Sequence, residues 1–178
     1  MLTIFPLLVM AESTKSSYQQ IEWTDLLPEA DLQALLNPPE ALNNIEDGSE
    51  ADQISNALSD ALSQAGDSRY QQALISTRVR DEYDNQLVRL PGFIVPIEIN
   101  AGQIVTRFFL VPYFGACIHV PPPPPNQIVY ASFEQGMKID SIYDPYWLEG
   151  TLHTTVTENE MATSAYSMSV TNVIPYQE

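Results

Sequence analysis

The sequence predicts a mainly β fold, a small OB-like barrel that follows an N-terminal helical extension. After Asp67, runs of β-branched and aromatic residues alternate with turn residues, as expected for a series of short strands. Before Gly66 the composition is acidic and rich in Ala, Leu, Asn and Gln, which favours helices and loops. With 178 residues and 44% hydrophobic content, the chain suits one domain with an appendage. A distorted β-sandwich is the alternative architecture.

The chain divides into three predicted parts. Residues 1–11 form an apolar leader ending in Ala11, residues 12–66 form the acidic helical extension, and residues 67–178 form the barrel domain. The leader resembles the hydrophobic and cleavage regions of a secretory signal, although no positive residue precedes it. Burial of this segment in the fold is the alternative. The leader is too short to cross a bilayer, which needs about 20 apolar residues, so we predict no transmembrane span. We expect an exported, periplasmic protein.

Two helices are predicted in the extension. The first begins near Pro28, which a first helical turn tolerates, with Glu29 and Asp31 at its positive end, and Pro38 stops it. The second lies within residues 49–66, where apolar residues recur with the spacing of one helical face. Because neither helix can form a core alone, we expect them to cover the barrel.

The remaining chain contains candidate strands whose order suggests the barrel. They cover residues 70–80, 87–99, 104–113, 127–133, 147–156 and 163–174. Strands joined by hairpins, followed by a long connection and two closing strands, are typical of a five-stranded OB-like barrel. Pro91 and Pro96 remove ladder donors from the second strand, which should therefore bend or lie at an edge, with a bulge at Gly92.

The charge of the chain limits its partners. Its 23 acidic and 7 basic residues give a net charge of -16, which repels phosphate backbones and anionic lipids. We therefore expect no nucleic acid partner. The charge favours cations or a basic protein, and solubility alone is the simpler explanation. With one cysteine, the chain cannot form an intramolecular disulfide bond.

The segment from Phe114 to Gln127 carries the only chemically distinctive motif. It holds the single cysteine, Cys117, then His119, then five prolines. In an extended strand Cys117 and His119 would point the same way, with Cα atoms about 6.6 Å apart. A thiolate and an imidazole can bind zinc, but a closed site needs about four ligands. We predict a transient zinc site, with further ligands from His153, Glu98, Met161 or Met168, or from a partner protein.

The same motif has two other interpretations. Cys117 and His119 could form a nucleophile and its base, but the sequence lacks a cysteine-hydrolase pattern, so no enzymatic activity is expected. Cys117 could also be a buried core residue. The prolines should form an extended segment of about 16 Å that fixes the direction of the chain. This segment could also dock on a partner. The candidate partner-binding residues are Pro121, Pro122, Pro123, Pro124, Pro125 and Asn126.

Several runs resemble a known family. They are Leu90–Glu98, Val111–Gln127 (VPYFGACIHVPPPPPNQ) and Tyr146–Leu152. Over roughly residues 70–176 they are similar to a family of bacterial exported proteins catalogued as a domain of unknown function. The resemblance implies an envelope protein, since some members are encoded beside ABC-type transporter and zinc-starvation genes. It supplies no catalytic residue.

These observations lead to a functional expectation. The chain should be a periplasmic, non-enzymatic accessory or binding module that binds zinc through Cys117 and His119 and is associated with an envelope ABC-type transport system. The alternative is a protein-interaction scaffold that docks on a transporter subunit through the proline-rich loop.

Overall fold

A computed structural model of the chain describes residues 18–38, 68–100, 102–115, 123–139 and 141–176. Its helices are α1 (Glu29–Leu36) and α2 (Arg69–Leu74). Its strands are β1 (Gln19–Gln20), β2 (Gln86–Ile99), β3 (Val105–Val111), β4 (Val129–Met137), β5 (Pro145–His153), β6 (Thr157–Glu158), β7 (Thr163–Ser164) and β8 (Tyr166–Pro175).

Five of the strands close into a barrel. Strand β2 pairs antiparallel with β3 and with β5, β3 pairs antiparallel with β4, and β8 pairs antiparallel with β5. The remaining contact, between β4 and β8, is parallel and closes the ring. This order, with its single parallel pair, is that of an OB-like barrel and confirms the predicted fold class. The short β1 adds a parallel strand to the edge of β2.

Strand β2 is shared between two neighbours. Its residues up to Phe93 pair with β5, and those from Phe93 onward pair with β3. The change of neighbour occurs beside Gly92, where a Cβ atom would lie 2.6 Å from the Val111 carbonyl oxygen. A residue without a side chain is therefore needed for this close approach. The irregular register lies further along, between Pro96 and Ile99, rather than at Gly92 where a bulge was predicted.

The barrel interior is filled by alternate residues of all five strands. Tyr166 is the largest fully buried side chain of this core. Its hydroxyl accepts the Arg80 N–H at 2.7 Å and donates to the Leu26 carbonyl oxygen at 2.8 Å. One buried hydroxyl thus attaches two segments that precede the barrel to its core. The other fully buried aromatic and large branched aliphatic members are Phe108, Ile21, Leu26, Leu90, Ile94, Leu110, Leu148 and Leu152.

We expect Tyr166 to make the fold sensitive to alkaline pH. Burial raises the pKa of Tyr166 to about 12, above the value of about 10 in an unfolded chain. A pKa that is higher in the folded state stabilises the fold below pH 10, and this contribution is lost as the pH rises from 10 towards 12. A Tyr166→Phe chain should be about 1–3 kcal/mol less stable at neutral pH and should lose less stability near pH 11. Urea unfolding at both pH values tests this, and equal alkaline losses in the two chains would contradict it.

One predicted strand is wrong. Residues 70–80 contain helix α2 followed by an extended segment, and they do not join the sheet. Ser68 starts α2, because its hydroxyl accepts the Gln71 N–H at 3.2 Å, and the residues that follow are good helix formers. In the extended segment, the N–H of Arg78 binds the Ser76 hydroxyl instead of a neighbouring strand.

The helical extension is described in part. Helix α1 confirms the first predicted helix, with Pro28 before it and Asn37 at its end. The predicted helix within residues 49–66 and the apolar leader of residues 1–11 lie outside the described residues. None of the helices in the described ranges is long and apolar enough to span a bilayer.

Candidate functional site

An apolar cluster lies on the outer face of the barrel. In β3, Phe108 and Leu110 point into the core, whereas Phe109 and Val111 belong to a second buried cluster with Ile128. The last four residues of β3, 108–111, are therefore buried on both faces, which explains their uninterrupted apolar run. The half-buried residues packed against this outer cluster are Phe93, Val95, Ile97, Tyr130 and Ala162. OB-folds use this face of the barrel to bind oligonucleotides, but here its central side chains are buried.

Two adjoining cavities extend along β2 beside the outer cluster. The first has a volume of 170 Å³ and the second has a volume of 470 Å³, and Pro96 and Ile142 line both. We call the two cavities together the apolar groove. None of the described residues that line it is Asp, Glu, Lys, Arg or His. Its other main lining residues are Phe93, Val95, Val111, Phe114, Ile99 and Tyr143.

The rim of the apolar groove exposes large apolar side chains. Tyr143 is 67% exposed and its ring centroid lies 4.7 Å from that of Phe114, which in turn contacts Phe93 edge-on at 6.2 Å. Ile99 and Ile142 are also exposed. Contiguous exposed apolar side chains on a folded domain mark an interaction surface. The groove therefore has the shape and chemistry of a binding surface for apolar groups.

A buried polar network connects α1 with the end of the proline run. Asp31 is fully buried, and its carboxylate accepts hydrogen bonds from the Ser76 hydroxyl at 2.6 Å and from Asn126 Nδ2 at 3.2 Å. The Arg78 guanidinium completes the network by pairing with the same carboxylate. Asn126 Nδ2 also donates to the Arg78 carbonyl oxygen at 3.1 Å. A buried carboxylate needs such partners, so this network fixes the extension to the barrel.

The described end of the proline run packs on its own chain. Pro123, Pro124 and Asn126 are buried, and the Pro125 carbonyl oxygen accepts the Ala165 N–H at 2.8 Å. These residues make contacts within the chain, and partner binding by the proline run stays a prediction. Asn126 serves the Asp31 network instead. Pro121 and Pro122 lie outside the described residues.

Of the four predicted metal ligands, the structure describes His153 and Glu98. Cys117 and His119 lie outside the described residues. His153 is on the outer face of β5, with Nε2 3.5 Å from the Ser169 hydroxyl, and exposed Glu98 accepts a hydrogen bond from Arg107 at 2.8 Å.

His153 and Glu98 lie on different strands and in different parts of the sheet. Leu152 pairs with Gln86, and Glu98 lies twelve residues further along β2, or about 40 Å of strand. In the other direction around the barrel, β3, β4 and β8 separate the two residues. Within the described ranges, no three His, Cys, Asp or Glu side chains form a group that could hold a metal ion.

The fold and the groove define the class of this protein as a small OB-like barrel with an apolar groove and a helical N-terminal segment. The chain belongs to the DUF3299 family, described as a protein of unknown function, which it matches over residues 23–175. This match confirms the resemblance to a family of unknown function.

One solved structure supports the same assignment. The chain is similar to the crystal structure of a DUF3299 family protein from Pseudomonas aeruginosa PAO1, with 38% sequence identity and a TM-score of 0.65. The similarity covers 91% of this chain and 98% of that chain. No curated protein matched the sequence.

Proposed function

We propose that this protein is a non-enzymatic binding module that docks on another protein through the apolar groove. The observation that carries the proposal is the chemistry of the groove, whose described lining has no Asp, Glu, Lys, Arg or His side chain while its rim exposes Phe114, Ile142 and Tyr143. Such a surface can bury apolar side chains, each stabilising a complex by about 1.5–3 kcal/mol.

The proposed site of action is the bacterial envelope, beside an ABC-type transport system. Two observations support it. The apolar leader of residues 1–11 resembles a secretory signal. The family resemblance also implies an envelope protein, with some members encoded beside transporter genes. In this account the barrel is a rigid support, and the aromatic pair Phe114 and Tyr143 provides the anchors that a partner would contact first.

Affinity purification from the native cells tests this proposal. The full chain carries a C-terminal tag and is compared with an Ile142→Asp, Tyr143→Asp double variant and with Thr171→Asp, which alters an exposed residue of β8 away from the groove. We expect a stoichiometric partner with the wild-type and Thr171→Asp chains and its loss from the groove variant, because charged groups are costly to bury. Equal recovery from all three chains would contradict docking at the groove.

A second candidate function is zinc binding through Cys117 and His119. The positions of the two further candidate ligands support His153 more than Glu98. His153 and Tyr130 both pair with Ser167, from opposite sides of β8. Tyr130 follows Val129, the first residue of β4, where the chain enters the barrel after the segment that carries Cys117. Glu98 is bonded to Arg107 and lies on a different strand of the sheet. If a metal binds, His153 is therefore the better third ligand.

Calorimetric zinc titration of the reduced protein tests this candidate. We expect a Cys117→Ala, His119→Ala variant to lose zinc binding. A His153→Gln variant should bind zinc at least about tenfold more weakly, and a Glu98→Gln variant should retain its affinity. Unchanged affinity in the double variant would contradict zinc binding by this pair. Groove variants should bind zinc normally, which separates this function from docking.

A further inference from the structure

We infer that the partner docks by strand addition, placing an extended segment along an open edge of β2 with apolar side chains in the groove and basic residues flanking them. This inference rests on the proposed docking function and specifies how docking occurs and what the partner segment contains. Strand addition uses main-chain hydrogen bonds for affinity and pockets for alternate side chains for specificity.

The first observation is that one edge of β2 has no strand neighbour among the described residues. Pairing with β5 ends at Phe93, so from Ile94 to Ile99 the described structure pairs β2 with β3 alone. The opposite edge of β2 faces away from β5, and its first half is covered. There the carbonyl oxygens of Arg89 and Pro91 accept hydrogen bonds from the Ile21 N–H and the Trp23 indole N–H.

The alternation of the strand then identifies the groups at the open edge. Arg89 and Pro91 direct their carbonyl groups away from β5. Because main-chain groups alternate along a strand, the even-numbered residues of β2 direct theirs towards β5. Continued along the strand, this alternation turns the main-chain groups of Ile94 and Pro96 to the open edge. Pro96 has no N–H, so it offers only its carbonyl oxygen. The edge therefore accepts a partner only in a register that needs no donor at Pro96, which limits nonspecific pairing.

The second observation is that the apolar groove follows the same edge. Its two cavities lie between β2 residues 94–99 and residues 139 and 141–143, which do not pair with β2. An added strand would occupy this space and place every second side chain against the groove. Ile142 and Tyr143 would cover these side chains from the opposite wall.

Charge selects the type of partner. The chain has a net charge of -16. Beside the groove, Asp144 follows Tyr143, Lys138 precedes Ile139 and Glu98 is paired with Arg107, so the attraction comes from the net charge of the chain. Lysine or arginine residues flanking an apolar partner segment would be attracted by this field. A second copy of this acidic chain would be repelled. We therefore assign the edge to a basic partner segment rather than to self-association.

A synthetic peptide provides the test. The probe is the heptapeptide Lys-Val-Lys-Val-Lys-Val-Lys, with a peptide in which Glu replaces each Lys as the charge control. Two further probes carry N-methyl groups on alternate amides, one on the valines and one on the lysines, so that each removes donors from one side of the strand. Fluorescence anisotropy of the labelled peptides measures their affinity for the full chain and for the Ile142→Asp, Tyr143→Asp variant.

We expect the basic peptide to bind more tightly than the acidic peptide, and one of the two methylated peptides to bind about tenfold more weakly than the other. The groove variant should lose binding. Equal affinity of both methylated peptides, preference for the acidic peptide, or no binding at millimolar concentration would overturn strand addition. A concentration-dependent dimer that the groove variant abolishes would also overturn it, in favour of a second copy. The proposed function fails separately, if the affinity purification finds no groove-dependent partner.

Discussion

An Arg78→Ala chain is expected to be about 3–5 kcal/mol less stable than the wild type. The substitution leaves the fully buried carboxylate of Asp31 without its closest cation, and an unpaired buried charge is strongly destabilising. Arg69, at 4.0 Å from the same carboxylate and half exposed, can replace only part of the interaction. Urea unfolding measured by circular dichroism tests the prediction.

Arg80→Ala is the matched control for this experiment. Arg80 pairs with Glu82 on the surface, where ion pairs contribute little. An Asp31→Ala, Arg78→Ala double variant should be more stable than the sum of the two single changes predicts, because the pair acts as a unit. If Arg78→Ala and Arg80→Ala had the same small effect, the network would not fix the extension to the barrel as described.

Gly150→Ala is expected to destabilise the fold by about 3 kcal/mol. A Cβ atom at Gly150 would lie 2.3 Å from the Ser169 carbonyl oxygen and 2.9 Å from the Cα of Val170. Both atoms belong to the backbone of β8, which cannot move without disturbing its pairing with β5 at an irregular register. Thermal unfolding monitors the loss.

Gly102→Ala provides the comparison for that substitution. The nearest atom to a Cβ at Gly102 is Asn100 Oδ1 at 3.4 Å, a side-chain atom at the surface that can shift. We expect little change in its unfolding temperature. An equally small effect at Gly150 would contradict the close approach of β5 and β8.

The barrel could be predicted because its signals are local. Alternating apolar residues, turn residues and the prolines around α1 each lie within a few positions of the element that they define. The strand predicted at residues 70–80 is wrong because Ser68 caps a helix and good helix formers follow it. The side-chain partners that replace a strand neighbour there could not be seen in the sequence.

The candidate site could not be predicted, because its parts are distant in the chain. Phe93 and Ile142 line the same groove only because β2 changes neighbours beside Gly92, which brings the segment before β5 to its edge. Asp31 and Asn126 are likewise 95 residues apart, and the sequence indicated only a helix start and a turn. The sequence predicts a zinc site at Cys117 and His119 instead, because these two residues are close in the chain and their chemistry is distinctive.

The measurement that most directly tests docking at the apolar groove is site-specific photocrosslinking in the native cells. A photoreactive amino acid replaces Tyr143 on the groove rim or Thr171 on β8, and the yield of crosslinked adduct is compared for the two positions. We predict a discrete adduct from position 143 that disappears when Ile142→Asp is added, and none from position 171. Equal adducts from both positions, or an adduct from position 143 that Ile142→Asp leaves unchanged, would contradict the claim that this groove binds the partner.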